Sequence, residues 1–310
     1  MAAAGIIAKE TQYPSPKGRN MTRIIPSLAA ISDQYEALFV DLWGCVHNGI
    51  AALPEAVAAL QSYRARGGTV VLVTNSPKPR IGVEAQLKHF GVPDDAWDSI
   101  ATSGDSARAA MFQGVVGKRI YFIGLPHDLP FFDPIQVVSD PVEITRVSLD
   151  QAEGIVCTGP FDGAVDPTVL LPELRFGQQK ALKLLCANPD LVVDRGTRRE
   201  WCAGAVAQLY QDIGGQSLYF GKPHAPIYDL ARKRLKALGK ALPDSAILAI
   251  GDGAQTDISG ARDAGIDALF ITGGLAAQET QTRQQPDPSA LAEYLDSQRV
   301  APAFSIGFLR

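Results

Sequence analysis

The sequence predicts an α/β protein, a Rossmann-like doubly wound parallel-sheet core with a second α/β domain inserted into it. Three observations carry that prediction. Short apolar runs recur along the chain, each ends at a polar or glycine-containing turn, and segments with helical spacing of apolar residues separate or follow them. A length of 310 residues exceeds one ordinary domain and suits two, each with its own core.

The runs are Ala37-Leu38-Phe39-Val40, Val70-Val71-Leu72-Val73, Leu218-Tyr219-Phe220, Ile247-Leu248-Ala249-Ile250 and Ala268-Leu269-Phe270-Ile271. Each reads as a strand buried on both faces. Helical periodicity spans 54–66, 227–238, 257–264 and 288–298. Between about residues 81 and 214 lies a gap too long for a crossover loop, so 82–214 is expected to be an inserted domain and 21–81 with 215–310 the core. Within the insert, 119–123, 154–157 and 182–186 read as strands and 167–179 as a helix. Residues 1–20 begin with an apolar run too short for a signal peptide, continue with a polar, proline-containing stretch, and are expected to form a flexible extension.

Composition narrows the partners. Hydrophobic residues at 46%, charged residues at 20% and a net charge of -4 describe a globular protein without a basic face, which argues against nucleic acid. No apolar stretch reaches membrane length. The four cysteines are scattered without a CxxC pair, which argues against a zinc knuckle or a disulfide framework and fits a reducing cytoplasm.

The polar residues that follow the strands are Asp41, Thr74-Asn75, Lys222 and Asp252, and open α/β sheets bind ligands at that carboxyl edge. Phosphoryl transfer to a carboxylate needs an in-line nucleophile and positive charge to offset its repulsion with the phosphate. Asp41 is the expected nucleophile, Lys222 the neutralising cation, Thr74 the hydroxyl donor and Asp252 a metal ligand, with Asp257 near the metal or its water. An oxygen-only ligand set favours Mg²⁺. Each residue also has a plainer reading: Asp41 as a strand-end cap, Asp257 as a helix cap, Lys222 as a solvated surface lysine. Their joint order along the chain favours the chemical one. A GxxxxGK[ST] loop, a dinucleotide fingerprint and a GxSxG elbow are absent.

Asp41-Leu42-Trp43-Gly44, Val73-Thr74-Asn75, Gly221-Lys222-Pro223 and Gly251-Asp252-Gly253-Ala254-Gln255-Thr256-Asp257 resemble, in order, the four motifs of the haloacid dehalogenase superfamily. An insert between the second and third, with Ala187-Asn188-Pro189-Asp190 late in it, is similar to the class IIA branch of NagD-like and pyridoxal phosphate phosphatase-like enzymes. The resemblance implies a catalytic core under a C2-type cap, hydrolysis of a small phosphomonoester through an aspartyl-phosphate, and homodimers through the cap. It also implies a metal contact from the backbone carbonyl of Trp43. Asn75 and Ser76 beside Thr74 are expected substrate contacts, as are Asn188, Asp190, Arg198 and Arg199 in the insert, where paired guanidinium groups suit a second anionic group.

The departure is Trp43. Family phosphatases generally carry there an aspartate that protonates the leaving group, and an indole cannot do such work, which typically supplies about 10²- to 10⁴-fold. His47, in the same loop and with a reference pKa near neutrality, is the nearest candidate replacement. Two alternatives stand beside the phosphatase reading: hydrolysis of an activated phosphoryl or phosphonyl compound that needs no acid, and a low-turnover protein that binds phosphate ligands.

Overall fold

The computed structural model describes residues 22–134, 138, 140–195 and 198–310, so the extension expected at 1–20 lies outside the described residues. In chain order the strands are β1 (Arg23–Ile24), β2 (Ala37–Val40), β3 (Thr69–Thr74), β4 (Ser99–Thr102), β5 (Arg119–Ile123), β6 (Thr145–Arg146) and β7 (Gly154–Cys157). They continue with β8 (Lys183–Cys186), β9 (Val192–Arg195), β10 (Arg198–Trp201), β11 (Gln216–Tyr219), β12 (Ile247–Gly251), β13 (Asp267–Ile271) and β14 (Phe304–Ile306). The α-helices are α1 (Pro54–Ala65), α2 (Arg80–Phe90), α3 (Ser103–Phe112), α4 (Leu171–Gln179), α5 (Ala203–Asp212), α6 (Ala225–Ala237), α7 (Ser259–Asp263) and α8 (Pro288–Gln298).

Two parallel sheets organise these elements. The larger has seven strands in the order β1-β14-β13-β12-β2-β3-β4, and the smaller has five in the order β11-β8-β7-β5-β6. Apolar runs without alternation are explained by cover on both faces: Leu38 and Val40 enter one buried cluster, Ala37 and Phe39 the other. In the smaller sheet Ile155 and Cys157 face one cluster and Val156 the other. All four cysteines are buried. Among the described residues, no helix is long and apolar enough to cross a membrane.

Local signals set the helix ends. Pro288 opens α8 while Asp287 accepts from the N–H groups of Ser289 and Ala290, at 3.0 and 2.9 Å, meeting two donors that a helix start leaves unpaired. Thr102 caps α3 by accepting from the Asp105 N–H at 2.8 Å. The segment expected at 257–264 divides into a π-type turn, Ala254–Ile258, followed by α7. That expected at 167–179 begins as a 3₁₀ turn, Pro167–Leu170, before α4.

The sheets do not divide at the boundaries expected from sequence. Strand β4, expected inside the insert, pairs with β3 and forms an edge of the larger sheet. Its residues Ser99-Ile100-Ala101-Thr102 are too short and too mixed to read as an apolar run. Conversely, β11 precedes Lys222 but pairs with β8 in the smaller sheet, so one of the five apolar runs belongs to a different sheet from the other four. The chain therefore leaves the larger sheet after β4 and re-enters it after β11, at Phe220-Gly221-Lys222. The antiparallel pair β9–β10 stands outside both sheets.

Strands β12, β2 and β3 lie side by side at the middle of the larger sheet, with Val40 opposite both Ile250 and Leu72. Their carboxyl ends consequently deliver Asp41, Thr74 and Asp252 to one place. Leu38, fully buried in β2, supports that edge. Replacing it with alanine should lower unfolding free energy by about 3 kcal/mol, within the usual range for a buried leucine, measured by denaturant unfolding.

Candidate active site

Asp41 follows β2, with its backbone N–H donating to the carbonyl of Ile250 at 2.8 Å. Its carboxylate Oδ1 contacts the Nζ of Lys222, which also donates to Asp257 Oδ1 at 2.7 Å. All three side chains are buried. Burial works against the Lys222 ammonium, but Asp257 and Asp41 more than offset it and hold its pKa well above the ordinary lysine value. Lys222 is therefore charged at neutral pH and is no solvated surface lysine.

Asp257 is itself fixed by the turn that precedes α7. Its Oδ2 accepts from the Gly253 N–H at 3.0 Å, and its own N–H donates to the Gly253 carbonyl at 2.8 Å. The first glycine of Gly251-Asp252-Gly253 has a steric cause, because a Cβ at Gly251 would lie 2.1 Å from Cγ of Asp257. Only a residue without a side chain lets that carboxylate lie against the end of β12.

Asp252 is buried, and its Oδ2 accepts from the Leu275 N–H at 3.0 Å. Ligand atoms of Asp41, Asp252 and Cys45 lie within 4.8 Å of one another. Burial, and then the neighbouring Asp41 and Asp257 charges, push the Asp252 carboxyl well above the usual range. Burial likewise raises Asp41, against the pull of Lys222. Two buried carboxylates this close repel each other, and a divalent cation between them would relieve both, so the donor set fits a metal. Cys45 was not anticipated. Its position four residues after Asp41, inside the first motif loop, was the signal available.

Thr74 ends β3, is buried, and accepts from the Ser76 N–H at 3.2 Å. Asn75 does more than line the site. Its Oδ1 accepts from the Lys222 N–H at 2.7 Å, and its Nδ2 donates to the Lys222 carbonyl at 3.1 Å and to Asp190 Oδ1 at 2.8 Å. Asn188, also buried, accepts from the Asp190 N–H at 3.0 Å. Burial raises the Asp190 carboxyl, opposed by the Asn75 hydrogen bond and the Lys222 charge. Asn188 and Asp190 thus come from the smaller sheet to the same cluster. Arg198 and Arg199, by contrast, are exposed on the β9–β10 pair.

Trp43 and His47 pack on each other edge to face, with ring centroids 5.2 Å apart, and His47 meets Phe90 at 4.9 Å. The indole, partly buried, rests against the cluster that contains Leu42 and Val46. His47 is 1% exposed and its Nδ1 accepts from the Gly49 N–H at 3.1 Å, which places the proton of the neutral ring on Nε2. Burial lowers its pKa to about 4. Titration near neutrality, the property that recommended His47 as an acid, is removed by the packing.

A buried histidine that resists protonation makes stability depend on pH. Between pH 6.5 and about 4 the unfolded chain binds a proton at His47 that the folded chain does not, so stability falls as pH falls through that window. The whole difference corresponds to about 3 kcal/mol at pH 4. Denaturant unfolding of His47→Gln should show a shallower acid slope than the parent, and equal slopes would contradict the packed, neutral imidazole.

Comparison with known proteins agrees with this arrangement. Residues 38–134 match the family model described as haloacid dehalogenase-like hydrolase, and residues 219–297 match one described as HAD-hydrolase-like. Among solved structures, a haloacid dehalogenase-like hydrolase from Brucella suis 1330 is 39% identical with a TM-score of 0.79, covering 92% of this chain and all of its own. The 5'-nucleotidase YutF of Bacillus subtilis is 22% identical over 264 residues, 82% of this chain and 94% of that protein. Human glycerol-3-phosphate phosphatase is 24% identical over 280 residues, 83% of this chain and 85% of that protein. With its parallel sheets, the four motifs in order and these matches, the chain belongs to the haloacid dehalogenase-like hydrolases.

Proposed function

We propose that this chain is a Mg²⁺-dependent phosphatase that hydrolyses a small phosphorylated metabolite through an aspartyl-phosphate on Asp41. The observation that carries the reading is the buried contact of Asp41 with Lys222 beside Asp252. The larger sheet serves as the catalytic core and the smaller as the cap, with the chain crossing between them at Ser103 and at Phe220-Gly221. The named activities of the relatives, on nucleotides and on glycerol phosphate, support the substrate class.

Asp41 and Asp252, with the backbone carbonyl of Trp43, would hold the cation, which when bound offsets charge on the phosphoryl oxygens. Asp41 Oδ attacks phosphorus in line as the bond to the leaving oxygen breaks. Lys222 neutralises the transferring group, and the Thr74 hydroxyl donates to one of its oxygens. Asp257 keeps the ammonium in place. Water then cleaves the aspartyl-phosphate and releases phosphate. Asn75 and Ser76 belong to the loop that cradles the phosphoryl group, while Arg198 and Arg199 are candidates for a more distant anionic group.

Trp43 supplies no proton to the leaving oxygen, and His47 is left out of the mechanism because it is neutral and packed in the core. The reading therefore favours leaving groups of low pKa. Asp41→Asn should abolish Mg²⁺-dependent phosphate release from a panel of nucleoside, glycerol and aryl phosphates. If the parent releases none from any member, the proposal fails. Trp43→Asp should raise turnover of alkyl phosphates by about tenfold or more relative to p-nitrophenyl phosphate.

A further inference from the structure

We propose that Asn75 and Asp190 act together as positioning residues that hold Lys222 in register with Asp41, so that the placement of the smaller sheet over the site is read at the ammonium. An asparagine side chain offers one acceptor oxygen and two N–H donors. In Asn75 the oxygen takes the Lys222 N–H, and the nitrogen gives to the Lys222 carbonyl and to Asp190 Oδ1. Both main-chain groups of Lys222 are thus fixed by one amide, whose remaining hydrogen bond comes from the other sheet. The contacts link residues 147 and 115 positions apart in sequence, so no local propensity produces them.

Each end of this bridge is anchored. Asp190 is tied to its own layer, where its N–H donates to Asn188 Oδ1 at 3.0 Å and its carbonyl accepts from the Gly204 N–H of α5 at 3.1 Å. On the Lys222 side the packing leaves no slack. A Cβ at Gly221 would lie 2.4 Å from Asn75 Oδ1, 2.6 Å from Pro189 Cδ and 2.7 Å from the buried Ser103 hydroxyl. Three chain segments meet there without room for a methyl group. From this base the Lys222 side chain reaches Asp41 and Asp257.

A rotation of the smaller sheet that withdrew Asp190 would leave one Asn75 N–H without its partner. The amide would then be held by its two Lys222 contacts alone, and Lys222 would be less firmly placed. The acceptor is what matters in this role, so an asparagine at 190 serves where an alanine does not.

The test is amide hydrogen exchange at Lys222, whose N–H is the one Asn75 accepts. Asp190→Ala should speed that exchange by roughly tenfold, about the value of one net hydrogen bond, whereas Asp190→Asn should stay within about threefold of the parent. In steady-state kinetics with p-nitrophenyl phosphate, Asp190→Ala should lower kcat by about 10- to 100-fold with a smaller change in KM. Asn75→Ala combined with Asp190→Ala should cost no more than Asn75→Ala alone. Unchanged exchange at Lys222 in Asp190→Ala, equal damage from alanine and asparagine at 190, or additive losses in the double variant would each overturn the proposal. If Asn75→Ala does not fold, the two Asp190 variants decide it. The duty assigned to Lys222 rests on the phosphatase reading, but the exchange measurement needs no turnover. Its failure sinks the bridge alone, while absence of Mg²⁺-dependent hydrolysis in the parent sinks the reading.

Discussion

The Lys222 ammonium is held between the carboxylates of Asp41 and Asp257, and three distant chain segments have to meet for that contact to exist. Asp41 comes from the end of β2, Asp257 from the turn after β12, and Lys222 from the connection that returns the chain from the smaller sheet. Burying one charge without its partners costs several kcal/mol, and removing one member of a buried pair typically costs about 3–5 kcal/mol. The cluster therefore ties the site's geometry to the integrity of both sheets. Once it is formed, the same groups supply what the proposed chemistry needs: a desolvated carboxylate with a fixed counter-charge beside it.

The cluster carries excess negative charge on one side. Asp252 lies close to Asp41 with only the Leu275 N–H donating to it among the hydrogen bonds described, and burial drives both carboxyls up. Such an arrangement is poised for a cation, since a bound divalent ion turns mutual repulsion into shared coordination. Cys45 adds a buried sulfur to the same space. The larger sheet produces this crowding directly, because β12 and β2 are parallel neighbours in register and their next residues must share one edge.

On the proposed phosphatase reading, Trp43 changes the kind of catalysis available rather than dismantling the site. Its ring packs against His47 and the core cluster beneath, so its side chain contributes to folding while its backbone stays in the motif loop. The same packing takes the His47 imidazole out of the neutral titration range. The indole thus packs against the nearest histidine that sequence proximity suggested, and burial keeps that imidazole neutral.

Much of the architecture was legible in the chain. The runs at 37–40 and 268–271 announce covered parallel strands, and Pro288–Gln298 carries its own start signal in Asp287 and Pro288. The motif order identified Asp41, Thr74, Lys222, Asp252 and Asp257, and the structure brings Asp41, Lys222, Asp252 and Asp257 into one cluster with Thr74 at the end of an adjacent strand. Other features were not legible. Ser99–Thr102 joins the larger sheet because β3 offers it a free edge, and Gln216–Tyr219 joins the smaller because β8 does. The bridge from Asp190 through Asn75 to Lys222 likewise depends on where two sheets sit against each other. Sequence determines which residues are apolar, which can ionise and in what order they come. Partner choice among strand edges, and which carboxylate meets which amide across more than a hundred residues, are settled only when long-range packing has closed the fold.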